Sequence, residues 1–251
     1  MQSSSRQRIV ELHNVTVDLP VYSVSARSLR RSVLNLPVGG RLLKNSSEQV
    51  SVRALDGVSI DLYEGDRLGL LGHNGSGKTT MLRTIAGIYA PSSGVVRVSG
   101  EVSSVLEIGT GLDAEASGEE NVRLLARYRG ISKEQAMAAL PEIAEFTGLG
   151  VFMKMPLKTY SQGMLSRLIF AVATSFAPDI LVMDEWIATG DEAFITKAEE
   201  RLLRFVAAAR VLIIATHNPA IIARLCNKAA LMEHGRIVSM GPVNHVLHRA
   251  A

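Results

Sequence analysis

The alternation of apolar and polar residues along the chain predicts an α/β protein. Residues 8–22, RIVELHNVTVDLPVY, are rich in β-branched side chains and predict a strand. Residues 50–72 predict two further strands, separated by the turn YEGD. A helix is predicted from Gly77 to Ala86, and residues 92–109 return to the strand pattern. The first part of the chain therefore predicts strands around one early helix.

In the second part of the chain, helical and strand patterns alternate. Residues 119–130 and 132–148 have apolar side chains at intervals of three and four residues, and each segment ends in glycine, which predicts two helices. The short apolar runs at 179–185 and 210–217 predict parallel strands that are covered on both faces. Near the end of the chain, a hairpin is predicted to turn at His234–Gly235.

Residues 23–49 predict an insertion that consists of a short helix and a loop. Leu29, Val33 and Leu36 recur at helical spacing, and a stretch rich in Gly, Asn and Ser follows them. Residues 1–53 have a net charge of +5, against −2 for the rest of the chain. This basic segment suits an anionic lipid, a nucleic acid or an acidic partner, and a solvated face is an equal alternative.

The composition indicates a folded protein without a membrane span. Of the 251 residues, 47% are apolar and 20% are charged, as in globular domains. The longest apolar runs, such as residues 168–177, are shorter than the roughly 18 residues that a span needs. The N-terminus lacks the apolar run of a secretory signal, and the single cysteine, Cys226, has no partner for an internal disulfide. We therefore expect a cytosolic protein in which Cys226 is a small buried residue.

The stretch GLLGHNGSGKTT, residues 69–80, matches the phosphate-loop pattern G-x-x-x-x-G-K-[S/T]. Its glycines let backbone N–H groups close around phosphate oxygens, and the N-terminus of the predicted helix adds partial positive charge. Lys78 is expected to reach the β- and γ-phosphates, and Thr79 to ligate Mg²⁺. The predicted nucleotide-binding residues of this loop are Gly72, His73, Asn74, Gly75, Ser76, Gly77, Lys78, Thr79 and Thr80.

Two acids, Asp184 and Glu185, follow the predicted strand DILVM. At the C-terminal end of a parallel strand, Asp184 is placed to hold Mg²⁺ through water, and Glu185 is placed to orient or polarise an attacking water. A GTPase is disfavoured, because no N-K-x-D stretch is present and NKAA at 227–230 lacks the acid. On the phosphate loop alone, a nucleotide or shikimate-type kinase remains an alternative to an ATPase.

Three further stretches resemble the ATP-binding-cassette (ABC) ATPases. YSQGM at 160–164 is similar to the signature motif of that family, ATGD at 188–191 resembles its D-loop, and His217 resembles its switch histidine. The resemblance implies that the signature contacts the γ-phosphate held by the other subunit of a head-to-tail dimer, through Ser161, Gln162 and Gly163. The catalytic residues that it implies are Lys78, Glu185 and His217.

The resemblance extends over residues 8–241 and implies an ABC-type P-loop NTPase fold of the α/β class. This fold combines a RecA-like core, an antiparallel β subdomain and an α-helical subdomain, which would be residues 110–159, approximately. Residues 242–251 would form a C-terminal tail. The implied ligands are ATP and Mg²⁺, with Thr79 and Asp184 as metal ligands. The implied partners are a second copy of the chain and an integral membrane permease that docks on the helical subdomain.

The chain departs from the general family pattern at the Q-loop and in the signature. No glutamine occurs between Glu101 and Asn121, and Glu107 holds the nearest place, as a possible ligand of Mg²⁺ or water. Together with the insertion at 23–49, these departures resemble the subgroup that energises export of lipid-linked polysaccharides such as O-antigen, capsule or teichoic acid. Tyr22 resembles the aromatic residue that stacks on adenine in this family, and a packing role is an equal alternative.

We therefore expect an ATP-hydrolysing subunit that powers export of a lipid-linked polysaccharide through a separate permease. It would be peripheral at the cytoplasmic face of the inner membrane, with no membrane span of its own and no nucleic-acid partner. Because the chain ends about ten residues past Gly241, glycan recognition is expected to fall to the permease. The alternatives are an ABC transporter of a different substrate, a soluble ABC ATPase of DNA repair or translation, and a small-molecule phosphotransferase.

Overall fold

The computed structural model describes residues 6–20, 41–44, 50–104, 111–185 and 192–250. The chain divides into two compact units. Unit 1 is formed by Met1–Val102, Asp179–Trp186 and Arg210–Ala251, and unit 2 by Ser103–Pro178 and Ile187–Ala209. The limits predicted above for the 8–241 domain, its helical subdomain and its tail stay predictions.

The regular elements of the described residues confirm the predicted α/β class. The strands, in chain order, are β1 (Arg8–Pro20), β2 (Arg41–Lys44), β3 (Val50–Tyr63), β4 (Arg67–Leu71), β5 (Ser93–Val98), β6 (Val102–Ser104), β7 (Ile180–Asp184), β8 (Val211–Ala215), β9 (Lys228–Glu233) and β10 (Arg236–Pro242). The α-helices are α1 (Lys78–Ile85), α2 (Gly118–Tyr128), α3 (Lys133–Thr147), α4 (Gln162–Ala173), α5 (Glu192–Ala208), α6 (Pro219–Leu225) and α7 (Val243–Ala250).

The first sheet of unit 1 is antiparallel, with the strand order β2-β3-β1-β5. Central strand β1 pairs with both neighbours, and Val10 lies opposite Leu62 on one side and Val98 on the other. Strand β2 contradicts the prediction of a loop at this point, because Arg41–Lys44 pairs with the start of β3. Nothing in the local pattern RLLK predicts this pairing, since its hydrogen bonds come from a strand further along the chain.

The second sheet has the strand order β10-β9-β4-β8-β7-β6. Strands β9, β4, β8 and β7 run parallel, whereas β10 is antiparallel to β9. Apolar residues fill β7 and β8 almost entirely, and all five residues of β8 are buried. The predicted pair of parallel strands is therefore confirmed. Because β4, β7 and β8 run in the same direction, their C-terminal ends meet at one edge, where ligands of open α/β sheets bind.

The hairpin between β9 and β10 turns at His234 and Gly235, as predicted. Both residues have positive φ angles, 48° and 79°, which are typical of a two-residue type I′ turn. The Gly235 N–H donates to Ser76 O over 2.9 Å, and Gly235 O accepts from the Asp56 N–H over 2.9 Å. A Cβ atom at Gly235 would lie 2.7 Å from Ala54 O. The turn is therefore fixed between the phosphate loop and β3.

Unit 2 contains the two helices predicted from residues 119–130 and 132–148. Each helix begins with a capping box, in which the serine side chain accepts from the backbone N–H of the residue three positions later, and the side chain of that residue accepts from the serine N–H. The pairs are Ser117 and Glu120 for α2, and Ser132 and Gln135 for α3. The core of the unit is apolar and lies between α2, α3, α4 and two 3₁₀-helices, Gly150–Lys154 and Leu157–Thr159. Its buried residues are Val122, Ile143, Leu149, Met153, Leu157, Leu168, Ala171 and Val172.

A buried arginine joins three helices within unit 2. Arg201 of α5 forms an ion pair with Glu142 of α3 and donates to Thr174 Oγ1 over 2.6 Å and Ser175 Oγ over 3.0 Å, just past the end of α4. Its guanidinium also stacks 4.4 Å from the centre of the Phe146 ring. A buried charge is tolerated when it is paired and hydrogen-bonded in this way. Arg201 therefore fixes the C-terminal end of α4.

The segment predicted only as a C-terminal tail is a helix, α7. Val246 is fully buried and Val243 nearly so, in a cluster with Ile222 and Ala229. Cys226 packs against the same cluster, and burial raises the pKa of its thiol to about 12. The thiol therefore stays protonated at neutral pH, as expected of a packing residue. Within the described residues, no helix is long and apolar enough to cross a membrane.

Candidate active site

A cleft of about 500 Å³ lies around the phosphate loop in unit 1. It is lined by residues from the loop and α1, from the ends of β7 and β8, and from the antiparallel sheet. These residues are Asn74, Gly75, Gly77, Lys78, Thr79, Thr80, Asp184, Glu185, His217, Leu19, Val52 and Ala54. The structure therefore brings together residues that the sequence analysis assigned to phosphate binding, metal binding and catalysis.

The path of the phosphate loop requires glycine at two positions. Gly72 and Gly77 have φ angles of 142° and 106°, which L side chains rarely adopt. A Cβ atom on Gly72 would lie 2.3 Å from Met232 O, and one on Gly77 would lie 2.7 Å from Ala54 O. Both contacts are with backbone atoms that have little freedom to move. The two motif glycines are thus explained by sterics.

The N-terminus of α1 faces the cleft without a side-chain cap. Gly77 is the N-cap residue and provides no side-chain hydrogen bond, and the first turn contains no acidic residue. The first N–H groups of a helix have no partner within the helix, and they add to a partial positive charge. An anionic ligand satisfies both, so this end of the cleft fits a phosphate group.

Lys78 lies nearly buried across the phosphate loop. Its Nζ donates to Gly72 O over 2.6 Å and to His73 O over 3.0 Å. Burial lowers the pKa of the Lys78 ammonium from its ordinary value of 10.5, while the charges of Asp184 and Glu185 act in the opposite direction. The ammonium group therefore lies between the carbonyls of the loop and two carboxylates.

The two predicted magnesium ligands are in direct contact. Thr79 Oγ1 donates to Asp184 Oδ2 over 2.6 Å. A hydroxyl and a carboxylate are oxygen donors of the kind that Mg²⁺ selects, usually with waters and substrate phosphates as its other ligands. This pair fits such a site. The described residues contain no group of three or more His, Cys, Asp or Glu side chains that could hold a metal ion. Mg²⁺ at Thr79 and Asp184 would therefore need waters or phosphate oxygens as its other ligands.

Glu185 is held by the end of the neighbouring strand. Its backbone has a φ angle of 91°, a left-handed conformation that is strained for a residue with a side chain. Its N–H donates to Ala215 O over 2.7 Å, and its Oε1 accepts from Thr216 Oγ1 over 2.7 Å. Thr216 was not among the predicted site residues, because a threonine directly after a strand is common.

The predicted signature residues lie in unit 2. Ser161 is the N-cap residue of α4, where its Oγ accepts from the Met164 N–H over 3.2 Å. Ser161, Gln162 and Gly163 are all exposed. They belong to unit 2, whereas the phosphate loop belongs to unit 1.

Several other predicted site residues lie outside the described residues. They are Tyr22, Glu107 and the D-loop stretch Ala188–Asp191. The cleft contains three aliphatic residues that the sequence analysis did not select, Leu19, Val52 and Ala54. Strand alternation alone does not distinguish them from core residues, so no sequence signal was available for them.

The family model described as ABC transporter matches residues 55–188, a range that includes the phosphate loop and the Asp184–Glu185 pair. The chain belongs to the ABC transporter family. It is an ABC ATPase, and the predicted ABC-type P-loop fold is confirmed. A solved ATP-binding subunit of an ABC transporter matches it with a TM-score of 0.69 at 20% identity, over 96% of this chain and 92% of that one. A dimeric ATP-binding cassette bound to ADP and Pi matches with a TM-score of 0.64 at 19% identity, over 94% and 99%.

Curated relatives of this ABC ATPase include exporter subunits. It is 46% identical to the O-antigen export system ATP-binding protein RfbE of Yersinia enterocolitica, over 89% of this chain and 94% of that protein. It is 36% identical to the O-antigen export protein RfbB of Myxococcus xanthus over 81% of this chain, and 38% identical to the teichoic acids export protein TagH of Enterococcus faecalis over 77%. The matched regions span less than half of these last two proteins, 46% and 43%.

Proposed function

We propose that this ABC ATPase hydrolyses ATP to power export of a lipid-linked, O-antigen-like polysaccharide through a separate membrane permease. The observation that supports this substrate class is the 46% identity to an O-antigen export protein over 94% of its length. A teichoic acid exporter among the other relatives, at 38% identity, agrees with a glycopolymer rather than a small solute.

In the proposed site, the backbone of the phosphate loop and the N-terminus of α1 hold the phosphates of ATP. Lys78 offsets negative charge on the β- and γ-phosphates. Thr79 and Asp184 hold Mg²⁺, which supplies positive charge to the phosphate oxygens when it is bound. The aliphatic residues Leu19 and Val52 line the same cleft and are proposed to contact the adenine base, with Tyr22 as the stacking residue.

Glu185 orients the attacking water in the proposed reaction. The water oxygen forms a bond to the γ-phosphorus, and the bond from that phosphorus to the bridging oxygen breaks, so that ADP leaves with the electron pair. Glu185 accepts a hydrogen bond from the water, and the water proton passes to the released phosphate. His217 lines the same cleft and contacts the γ-phosphate. This assignment is supported by the positions of both residues at the ends of adjacent parallel strands.

The proposed ATPase acts as a head-to-tail dimer, in which residues 161–163 of one copy close the cleft of the other. The exposure of this signature at the N-terminus of α4 supports that arrangement. The permease docks on unit 2, where Val151, Phe152 and Met155 are exposed apolar side chains close together in the chain. The ATPase is then peripheral at the cytoplasmic face of the membrane. Glu107 is proposed to occupy the Q-loop position.

The proposed chemistry is tested by the variant Glu185→Gln. We expect ATP turnover to fall about 10²- to 10³-fold, because the carboxylate that orients water is lost. Nucleotide binding should be retained, and ATP should trap a dimer that is visible by size-exclusion chromatography. Glu145→Gln, at an exposed carboxylate of α3, is the matched control and should keep wild-type turnover. Undiminished hydrolysis in Glu185→Gln would refute this role.

The proposed substrate is tested in the native cell with the same variant. We expect Glu185→Gln to leave the polymer on its lipid carrier inside the cell and to remove it from the surface. Mass spectrometry of the complex purified from native membranes should identify an integral permease as the partner. A normal surface glycan, together with loss of transport of another compound, would instead support an ABC transporter of a different substrate.

A further inference from the structure

Thr216 lies just after β8 and touches the Glu185 carboxylate. Its Oγ1 donates to Glu185 Oε1 over 2.7 Å and accepts from the Asn218 N–H over 3.2 Å. Thr216 is only 1% exposed. A hydroxyl has one proton to donate, and an ionised carboxylate can only accept. The single proton of this buried side chain is therefore directed at Glu185.

The backbone of Glu185 is held by the residue before Thr216. The Glu185 N–H donates to Ala215 O over 2.7 Å, and Ala215 lies opposite Asp184 at the end of the β7–β8 pairing. The φ angle of 91° at Glu185 lies outside the range of strand residues, directly after the end of β7. Two successive residues at the end of β8 thus fix both the main chain and the side chain of Glu185.

We infer that Thr216 is a positioning residue for Glu185. By holding Oε1, it fixes the rotation of the carboxylate, so that Oε2 is the oxygen available to the attacking water. A group that orients water must lie within hydrogen-bond reach in the correct direction, and small misplacements are costly. This inference rests on the proposed role of Glu185, and it adds the residue that sets the orientation of that side chain.

The test is the variant Thr216→Val, which keeps the branched shape and removes the donor. In steady-state ATPase assays of the full chain with MgATP, we expect kcat to fall about tenfold, the effect of losing one hydrogen bond to a charged group. The KM for ATP should change by less than about twofold, because the hydroxyl lies on a carboxylate and not on the phosphate loop. Thr216→Ser restores the donor and should restore most of the lost kcat. Thr216→Ala removes the same donor in a smaller side chain and should reproduce the loss.

Thr147→Val is the matched control. Thr147 is also a buried threonine, 1% exposed, and its Oγ1 donates to Ile143 O within α3 over 2.8 Å. We expect both valine variants to lower the melting temperature, but only Thr216→Val to lower kcat. Equal kcat values in the two valine variants, a raised KM with unchanged kcat, or no recovery in Thr216→Ser would each overturn the inference.

The outcome also separates this inference from the proposed function. If Glu185→Gln hydrolyses ATP at the wild-type rate, the proposed chemistry fails whatever Thr216 does. If Glu185→Gln is inactive and Thr216→Val is fully active, the chemistry stands and the positioning role of Thr216 is wrong.

Discussion

The phosphate loop and the signature are both short glycine-containing segments directly before a helix, yet their helix ends differ. At the start of α1, Gly77 offers no side-chain cap, and the nearly buried Lys78 lies across the loop. At the start of α4, Ser161 caps its own helix and is exposed. The first helix end leaves its donors for an anionic ligand, whereas the second has already satisfied one of them.

The two helix ends therefore differ in how strongly their structure without a ligand indicates a phosphate-binding site. An uncapped helix end, two glycines with no room for a Cβ atom and a buried lysine together indicate a phosphate site within one unit. A capped and exposed serine fits an ordinary helix start equally well. The role proposed for Ser161 requires a second copy of the chain, so turnover measurements are the test of it.

Loss of the Lys78 charge should have a larger effect on ATP turnover than any other change considered for the two helix ends. Lys78→Met keeps the aliphatic stem and removes the charge, so ATP turnover should fall at least about 10²-fold, as when a charge-stabilising group is lost. Lys158→Met is the control from unit 2, where the exposed lysine pairs with Glu115 at the surface. It should leave turnover unchanged. Similar ATPase rates for Lys78→Met and wild type would remove the main evidence for a nucleotide cleft.

Removal of the Ser161 hydroxyl in the signature should have a smaller effect on ATP turnover. Ser161→Ala and Ser132→Ala each remove the cap of a unit 2 helix, α4 or α3, and each should cost about 1 kcal/mol of unfolding free energy. Only Ser161→Ala should also lower turnover, by about tenfold, because its hydroxyl is proposed to contact the nucleotide of the partner. Nucleotide binding at low protein concentration should be unchanged. If the two alanine variants show equal turnover, Ser161 is only a helix cap.

The smallest effect concerns pH and Lys78. Burial lowers the pKa of Lys78 below 10.5 in the folded chain. Between the lowered pKa and 10.5, the unfolded chain binds more protons, so stability rises with pH in this window. The difference in melting temperature between wild type and Lys78→Met, without nucleotide, should therefore shift in favour of the wild type as pH approaches 10.5. A melting-temperature difference that stays constant, or that moves in favour of Lys78→Met as pH rises, would contradict the burial of the charged group.

The elements with strong local signals were predictable from the sequence. The helices α2 and α3 have periodic apolar residues and serine caps, and strands β7 and β8 are continuous apolar runs. Strand β2 was not predictable, because its pairing with β3 depends on residues outside its own four. Helix α7 did offer a signal, since Val243, Val246 and Leu247 recur at helical spacing and face the cluster around Ile222.

The site was predictable where the chemistry demands fixed residue types at fixed spacing. The phosphate loop and the Asp184–Glu185 pair met this condition, and the structure places them in one cleft. Thr216 did not, because a threonine after a strand is common, and only the 2.7 Å contact with Glu185 makes it informative. Leu19 of β1 and Val52 and Ala54 of β3 were not predictable either, because aliphatic residues that line a cleft have the same sequence pattern as residues that pack in a core.

The β9–β10 turn has a practical consequence for labelling this protein. Hairpin tips are usually tolerant places for an inserted tag or a fluorophore attachment site. Here both backbone polar groups of Gly235 are engaged, one with Ser76 and the other with Asp56. Extra residues at this tip would displace Ser76 in the phosphate loop and would therefore change the nucleotide binding that a label is meant to report.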